Sequence, residues 1–386
     1  MSAKQLNYYK GRRKKRSMAI IPTVLILLFF GVAVVLFYST QKYAVITDSG
    51  VNVELPFLGK TVSTQTGEEQ TAAEFEIVDA NLDFGEADYS GVEAKAGAGV
   101  RPVRAIYVPY EDINEEGITE YARRLSSGNA LLLDLKQPNG YLAWYSDAPL
   151  AYSYGLNMAA PDSKQQLMDI IAPLKEEKIY LIAQISVCRD DLLGAHSTEV
   201  NIKNELGMYY FDEFGYWLDP YSTIVRDYAV QLVEELWDMG FDEVVLQDLS
   251  HPVLPEIDNG DGTFTAISVT YTKAMSTTPT PVGGISGFAV YLSEQLSDRP
   301  SGKYLSVFLN SSSALVKADK ANGQDGELFM KVFDRIYYAT DKYAYTFNVS
   351  DITPFCTVGS VKNRFVPVVI NYLPENTSWV LVDQEE

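Results

Sequence analysis

Apolar residues in this chain fall into three rhythms. Met18–Tyr38 is a run of 21 residues without a charge, about 30 Å long as a helix, enough for one bilayer core. Residues 43–60 alternate apolar and polar positions as a strand or hairpin does. From Arg104 onward, short apolar runs alternate with segments whose apolar residues recur every three or four positions. Strands are expected at Ala105–Val108, Ala130–Lys136, Ile179–Val187 and Val244–Leu246, then at 304–309, 335–339, 366–371 and 379–382. Helices are expected at 115–127, 163–177, 222–239 and 285–297; in the third, Val225, Tyr228, Ala229, Leu232, Val233, Leu236 and Trp237 share one face. Seven or eight strands alternating with helices over this length predict a (β/α)8 TIM-like barrel, with a doubly wound open sheet as the structural alternative. No glycine-rich phosphate loop follows the first strand, which argues against a dinucleotide fold.

Charge divides the chain further. Of 31 basic and 51 acidic residues, residues 1–17 hold seven of the basic ones and no acid. A basic flank before an apolar span predicts a cytoplasmic tail (1–17), a transmembrane helix (18–38) and an extracytoplasmic remainder. A cleaved signal peptide is the rival, but Ser39–Tyr43 offers no small-x-small cleavage site. Residues 39–100 read as a partly β stalk, with Ala94–Gly99 as a flexible spacer, and 101–386 as the barrel. The expected partners are the membrane, through residues 18–38, and a polysaccharide or cell-wall glycan. The acidic balance argues against nucleic acid. Cys188 and Cys356 could pair in an exported domain.

Chemistry is sought at strand C-terminal ends, where such barrels keep it. Asp134 and Lys136 end the second strand, and either line a pocket or form a structural ion pair. Asp190, after the third strand, is a candidate acid or a helix cap. Asp219, before Pro220, is a candidate acid or a cap with proline at the first helical position. Gln247, Asp248 and His251 end the fourth strand. Val245 and Gln247 share a face, so Asp248 points away unless the strand bends at its tip. Trp144, Trp217 and Tyr221 are candidate sugar-stacking residues, with Lys136, Gln184, Gln247 and His251 as further substrate contacts. No His, Cys and Asp grouping has metal-ligand spacing, so neither metal nor other cofactor is expected. Asp258–Thr263 reads as a tight hairpin turn rather than a calcium loop.

Several of these segments, in order, resemble a family. They are Arg104-Ala-Ile-Tyr-Val108, Leu133-Asp-Leu-Lys136, Ile182–Val187 with Asp190, Gly215-Tyr-Trp-Leu-Asp-Pro-Tyr221, Asp227-Tyr228, Gly240-Phe-Asp-Glu243 and Pro252. Together they resemble the bacterial glycosyl hydrolase domain family placed with the alpha-amylase-like TIM barrels, over about residues 102–372. The resemblance implies a barrel; a hydrolase on it would draw two carboxylates, acid and nucleophile or base, from Asp134, Asp190, Asp219 and Asp248. It also exposes departures. Gln247 stands where the family has an acid, Ser250 where it has arginine, and Gln184 where arginine is common. A glycoside hydrolase and a catalytically degenerate barrel that binds a glycan or a cell-envelope partner are therefore both expected readings.

Overall fold

Eight short runs rich in branched and aromatic residues close on one another as parallel strands. In the computed structural model they are Arg104–Val108, Ala130–Lys136, Tyr180–Ser186, Glu243–Gln247, Tyr304–Leu309, Ile336–Ala339, Phe365–Ile370 and Trp379–Val382. They hydrogen-bond in sequence order, and the eighth pairs with the first. This is the (β/α)8 barrel that the rhythm predicts, not an open sheet. The structure describes residues 44–47, 50–53, 91–94, 96–125, 129–213, 215–260, 263–272, 279–310, 312–315, 317–339, 361–370 and 378–382. The expected transmembrane segment at 18–38 and Cys356 lie outside them. Among the described residues no helix is long and apolar enough to cross a membrane.

The described parts fall in two units, Met1–Phe75 and Glu76–Glu386. In the first, Ala44–Thr47 and Gly50–Val53 form an antiparallel hairpin. In the second, helices Glu115–Arg123, Lys164–Glu176, Thr223–Met239, Pro281–Gln295 and Gly326–Val332 follow successive strands. Local chemistry sets where several of them start. Asn114, Thr280 and Asp325 each accept a backbone N–H of the first turn through the side chain, satisfying donors that the helix leaves unpaired.

The helix Thr223–Met239 buries the whole face read from the sequence, Val225 through Trp237, each large side chain contributing about 1.5–3 kcal/mol. It stops at Gly240, whose φ of 113° lies in the left-handed region that a side chain disfavours. Gly240→Ala is expected to cost roughly 1–2 kcal/mol, read from urea unfolding. A loss under about 0.5 kcal/mol, the range of ordinary surface changes, would contradict this account of the helix stop.

Two expectations need correction. The spacer at 94–99 is in part packed against the barrel. Ala96 is buried, its N–H donates to the Lys331 carbonyl, and the Gly97 N–H donates to Asp334 Oδ1 at 2.8 Å. A Cβ on Gly97 would lie 2.1 Å from Arg364 Nε, so the glycine serves close approach rather than flexibility. Nor does Asp219–Pro220 cap a helix. The helix begins at Thr223, after Ser222. Asp258–Thr263 does lie within a hairpin, between Glu256–Asp258 and Phe264–Ala266.

Inside the barrel, alternate strand residues form layers. Leu132, Ile182, Val245, Val366 and Val380 pack as one apolar cluster. Below it, towards the strand N-termini, lies a polar layer centred on Glu243. This side chain is fully buried and ion-paired to Arg335. It also accepts from Tyr180 and Tyr337, each at 2.9 Å, and from Ser306 at 2.6 Å. Burial, then the Glu243 charge, push both tyrosine hydroxyls well above their ordinary value, so they remain donors. The preceding Asp242 accepts the Leu181 N–H through Oδ2 at 2.9 Å. The Gly-Phe-Asp-Glu run is thus a turn, a core ring and two anchors of the barrel floor.

Candidate functional site

At the opposite end, the strand C-termini carry a different polar layer. Asp134 pairs in register with Gln184, and Ser186 with Gln247. The Tyr107 hydroxyl donates to Asp134 Oδ2 at 3.1 Å, and Gln184 Nε2 donates to Gln247 Oε1 at 2.7 Å. A row Tyr107–Asp134–Gln184–Gln247 therefore crosses the first four strands at the mouth. Asp134 Oδ1 is buried and has no hydrogen-bond partner. Burial pushes the Asp134 carboxyl up to about 6, with the Tyr107 and Gln184 side chains acting in the lowering sense; the charges of Glu111 and Asp248 add to the rise.

Asp248 joins the mouth because the strand bends at its tip. Its φ is 54°, a left-handed conformation that Asp tolerates better than most residues. The turn brings Asp248 Oδ2 to Ser186 Oγ at 2.8 Å, so the simple alternation that would aim it away is broken. Burial raises its carboxyl, while Ser186, Arg189 and Lys136 act in the lowering sense.

The remaining sequence candidates are held by other contacts. The strand register shifts between Asp134 and Lys136, and such an irregularity re-aims a side chain. Lys136, fully buried, then pairs with Asp190 Oδ2 at 2.8 Å and donates to the Ser186 carbonyl at 2.7 Å. Asp190 Oδ1 meanwhile caps the helix Asp191–His196 by accepting the Leu193 N–H at 2.7 Å. Asp219 accepts the backbone N–H groups of Tyr221 and Thr272, at 2.9 and 2.7 Å, and ties two loops together. Neither Asp190 nor Asp219 presents its carboxylate to the mouth row.

Trp144 is fully buried and donates its indole N–H to Glu235 at 3.1 Å, leaving no ring face for a sugar. Trp217 donates to Asp212 at 2.7 Å beneath the Arg189 guanidinium, and Tyr221 donates to the Thr280 carbonyl. Both are buried. Burial lowers His251 to about 4, so its ring is neutral near pH 7; Nδ1 donates to the Pro252 carbonyl. Cys188 is a buried free thiol. Among the described residues no cluster of His, Cys, Asp or Glu is arranged to hold a metal.

Three mouth residues escaped sequence reasoning. Tyr107 and Ser186 lie two residues beyond Ala105 and Gln184, so a strict period of two along each strand would have found them. Glu111, exposed in the turn after the first strand, had no such signal.

A model of the DUF4015 family, described as "Putative glycosyl hydrolase domain", matches residues 105–353. No curated protein matches in sequence. Among solved structures, a hypothetical protein from Ruminiclostridium thermocellum is 22% identical, with a TM-score of 0.42 over 52% of this chain and 96% of that one. The GH20 β-N-acetylhexosaminidase of Streptomyces coelicolor is 12% identical, at 0.43 over 70% of this chain and 48% of the enzyme. The α-glucosyl transfer enzyme XgtA is 12% identical, at 0.47 over 76% and 68%.

Proposed function

The chain belongs to this glycosyl hydrolase domain family, and from that premise we propose that its barrel mouth takes a polysaccharide and cleaves it with Asp134 as the general acid. The carrying observation is the buried, unpartnered Oδ1 of a carboxyl raised to about 6. A general acid needs a proton at working pH, and an apolar surrounding keeps one there. Asp248, bent into the mouth and held by Ser186, is the second carboxylate, acting as base or nucleophile. Tyr107, Gln184 and Gln247 supply the donors and acceptors that a hydroxyl-rich ligand requires. In the same proposal, residues 18–38 anchor the chain in a membrane, with residues 1–17 cytoplasmic and the barrel outside. The support is the length of the apolar run and its basic flank.

A second reading, binding without cleavage, is favoured by the Gln184–Gln247 hydrogen bond. It places two amides where a hydrolase of this fold would use charged groups. One experiment separates the two. The full chain in neutral detergent is incubated with purified cell wall and a panel of polysaccharides, and released oligosaccharides are read by mass spectrometry. Release that declines as pH rises through about 6 and disappears in Asp134→Asn supports hydrolysis. Retention on one polymer without release supports the binding barrel. Neither release nor retention sinks both.

A further inference from the structure

The barrel floor carries a cavity of about 510 Å³, lined by Gly99, Arg101, Asn129, Lys178, Tyr180 and Arg335 among others. These residues sit at or just before strand N-termini, at the end of the barrel opposite the mouth. Among the described residues three cations line the cavity and no acid does, in a chain of formal net charge −20. Arg335 is already committed to Glu243. Arg101 and Lys178 are exposed, and among the described residues neither side chain has a hydrogen bond or ion pair.

Lys178 is held at some cost. It follows the end of the helix Lys164–Glu176 with φ 62°, where its N–H donates to Lys175 O and the next N–H to Leu174 O. Glycine is the usual residue at such a stop, because a side chain is strained in the left-handed region. Among the described residues only Lys178 and Asp248 are non-glycine residues with positive φ, and Asp248 belongs to the mouth. A lysine kept in this conformation points to a use for its ammonium group.

The geometry points to a phosphate-binding site at the barrel floor, in which Arg101 and Lys178 hold the phosphate of a small phosphoester. A guanidinium fork and an ammonium group together match a multi-oxygen anion. The cavity is larger than a bare ion requires, so the organic part of the ester has room. A local cation pair in an otherwise acidic protein also draws anions to it. The site is separate from the mouth and does not rest on glycan chemistry. The ester could be a soluble phosphomonoester or the phosphodiester headgroup of a lipid or polymer.

The test is calorimetric titration of the full chain, in neutral detergent, with glycerol 3-phosphate as the monoester and glycerophosphoglycerol as the diester headgroup. Binding of either one supports the site, and the preferred ester identifies the source. The double change Arg101→Gln with Lys178→Gly is expected to weaken that binding at least tenfold. Lys178→Gly alone is expected to raise the thermal midpoint by about 2 °C, since it relieves the backbone, while still losing affinity. No binding to the wild-type chain overturns the proposal. So does unchanged affinity in the double variant, which would assign the ester to the basic tail of residues 1–17. A fall in midpoint on Lys178→Gly would assign the lysine to the fold, and overturns the proposal as well.

Discussion

Glu243→Ala is expected to cost the barrel about 3–5 kcal/mol, the penalty for stranding one partner of a buried ion pair. The change leaves Arg335, itself almost fully buried, without its counter-charge. It also removes the acceptor of Tyr180, Tyr337 and Ser306, donors drawn from the third, sixth and fifth strands. Glu243 therefore joins four staves across the barrel interior, where hydrogen bonds between neighbouring strands do not reach. Arg335 also donates to the carbonyls of Arg101 and Asn363 and to the Tyr180 hydroxyl, and these neutral partners hold it in place without neutralising it. Pairing Glu243→Leu with Arg335→Met is expected to cost less than the two single changes together, because no unpaired charge remains. Urea unfolding of the two single variants and the double variant provides the check. A loss under about 1 kcal/mol for Glu243→Ala, within the scatter of ordinary substitutions, would show that the floor network does not hold the barrel.

That role was half legible in the sequence. Counting by twos along the fourth strand places Glu243, Val245 and Gln247 on one face, and the structure puts all three inside the barrel. Periodicity alone could not say that this face turns polar at both ends, the floor at Glu243 and the mouth at Gln247. The eight strands were legible because each is a short apolar run between polar turns, and the fold needs little more. The mouth was less so. The contact of Tyr107 with Asp134 joins residues on neighbouring strands whose relative stagger no local pattern encodes. Asp248 required a left-handed residue, which sequence reads well at glycine and poorly at aspartate. Asp190 and Lys136 looked like site residues because they are charged and lie after or at the ends of strands. Their partnership depends on a register irregularity between Asp134 and Lys136, and only three-dimensional placement reveals it.

Asp134→Asn is expected to stabilise the folded chain at pH 7 by roughly 3 kcal/mol, since the Asp134 carboxyl is raised from 3.8 to about 6 and each unit is worth about 1.4 kcal/mol. The folded state holds its proton more tightly than the unfolded one. Between pH 4 and 6 the folded chain therefore binds more protons, and its stability falls as pH rises through that window. Below the window both states are protonated and the cost disappears; above it the cost is complete and constant. The asparagine carries no charge, so its advantage should be near zero at pH 3.5, grow across the window and level off near pH 7. Asparagine retains an acceptor for the Tyr107 hydroxyl, so that contact should survive the change. Chemical unfolding of both proteins at several pH values gives the comparison. An equal difference at every pH, or none at pH 7, would mean that the Asp134 carboxyl is not destabilised by burial. A buried oxygen left without a partner at the mouth separates Asp134 from Asp190 and Asp219, whose oxygens are occupied by the fold. The same burial that costs stability keeps a proton on Asp134 up to about pH 6, as the proposed role of general acid requires.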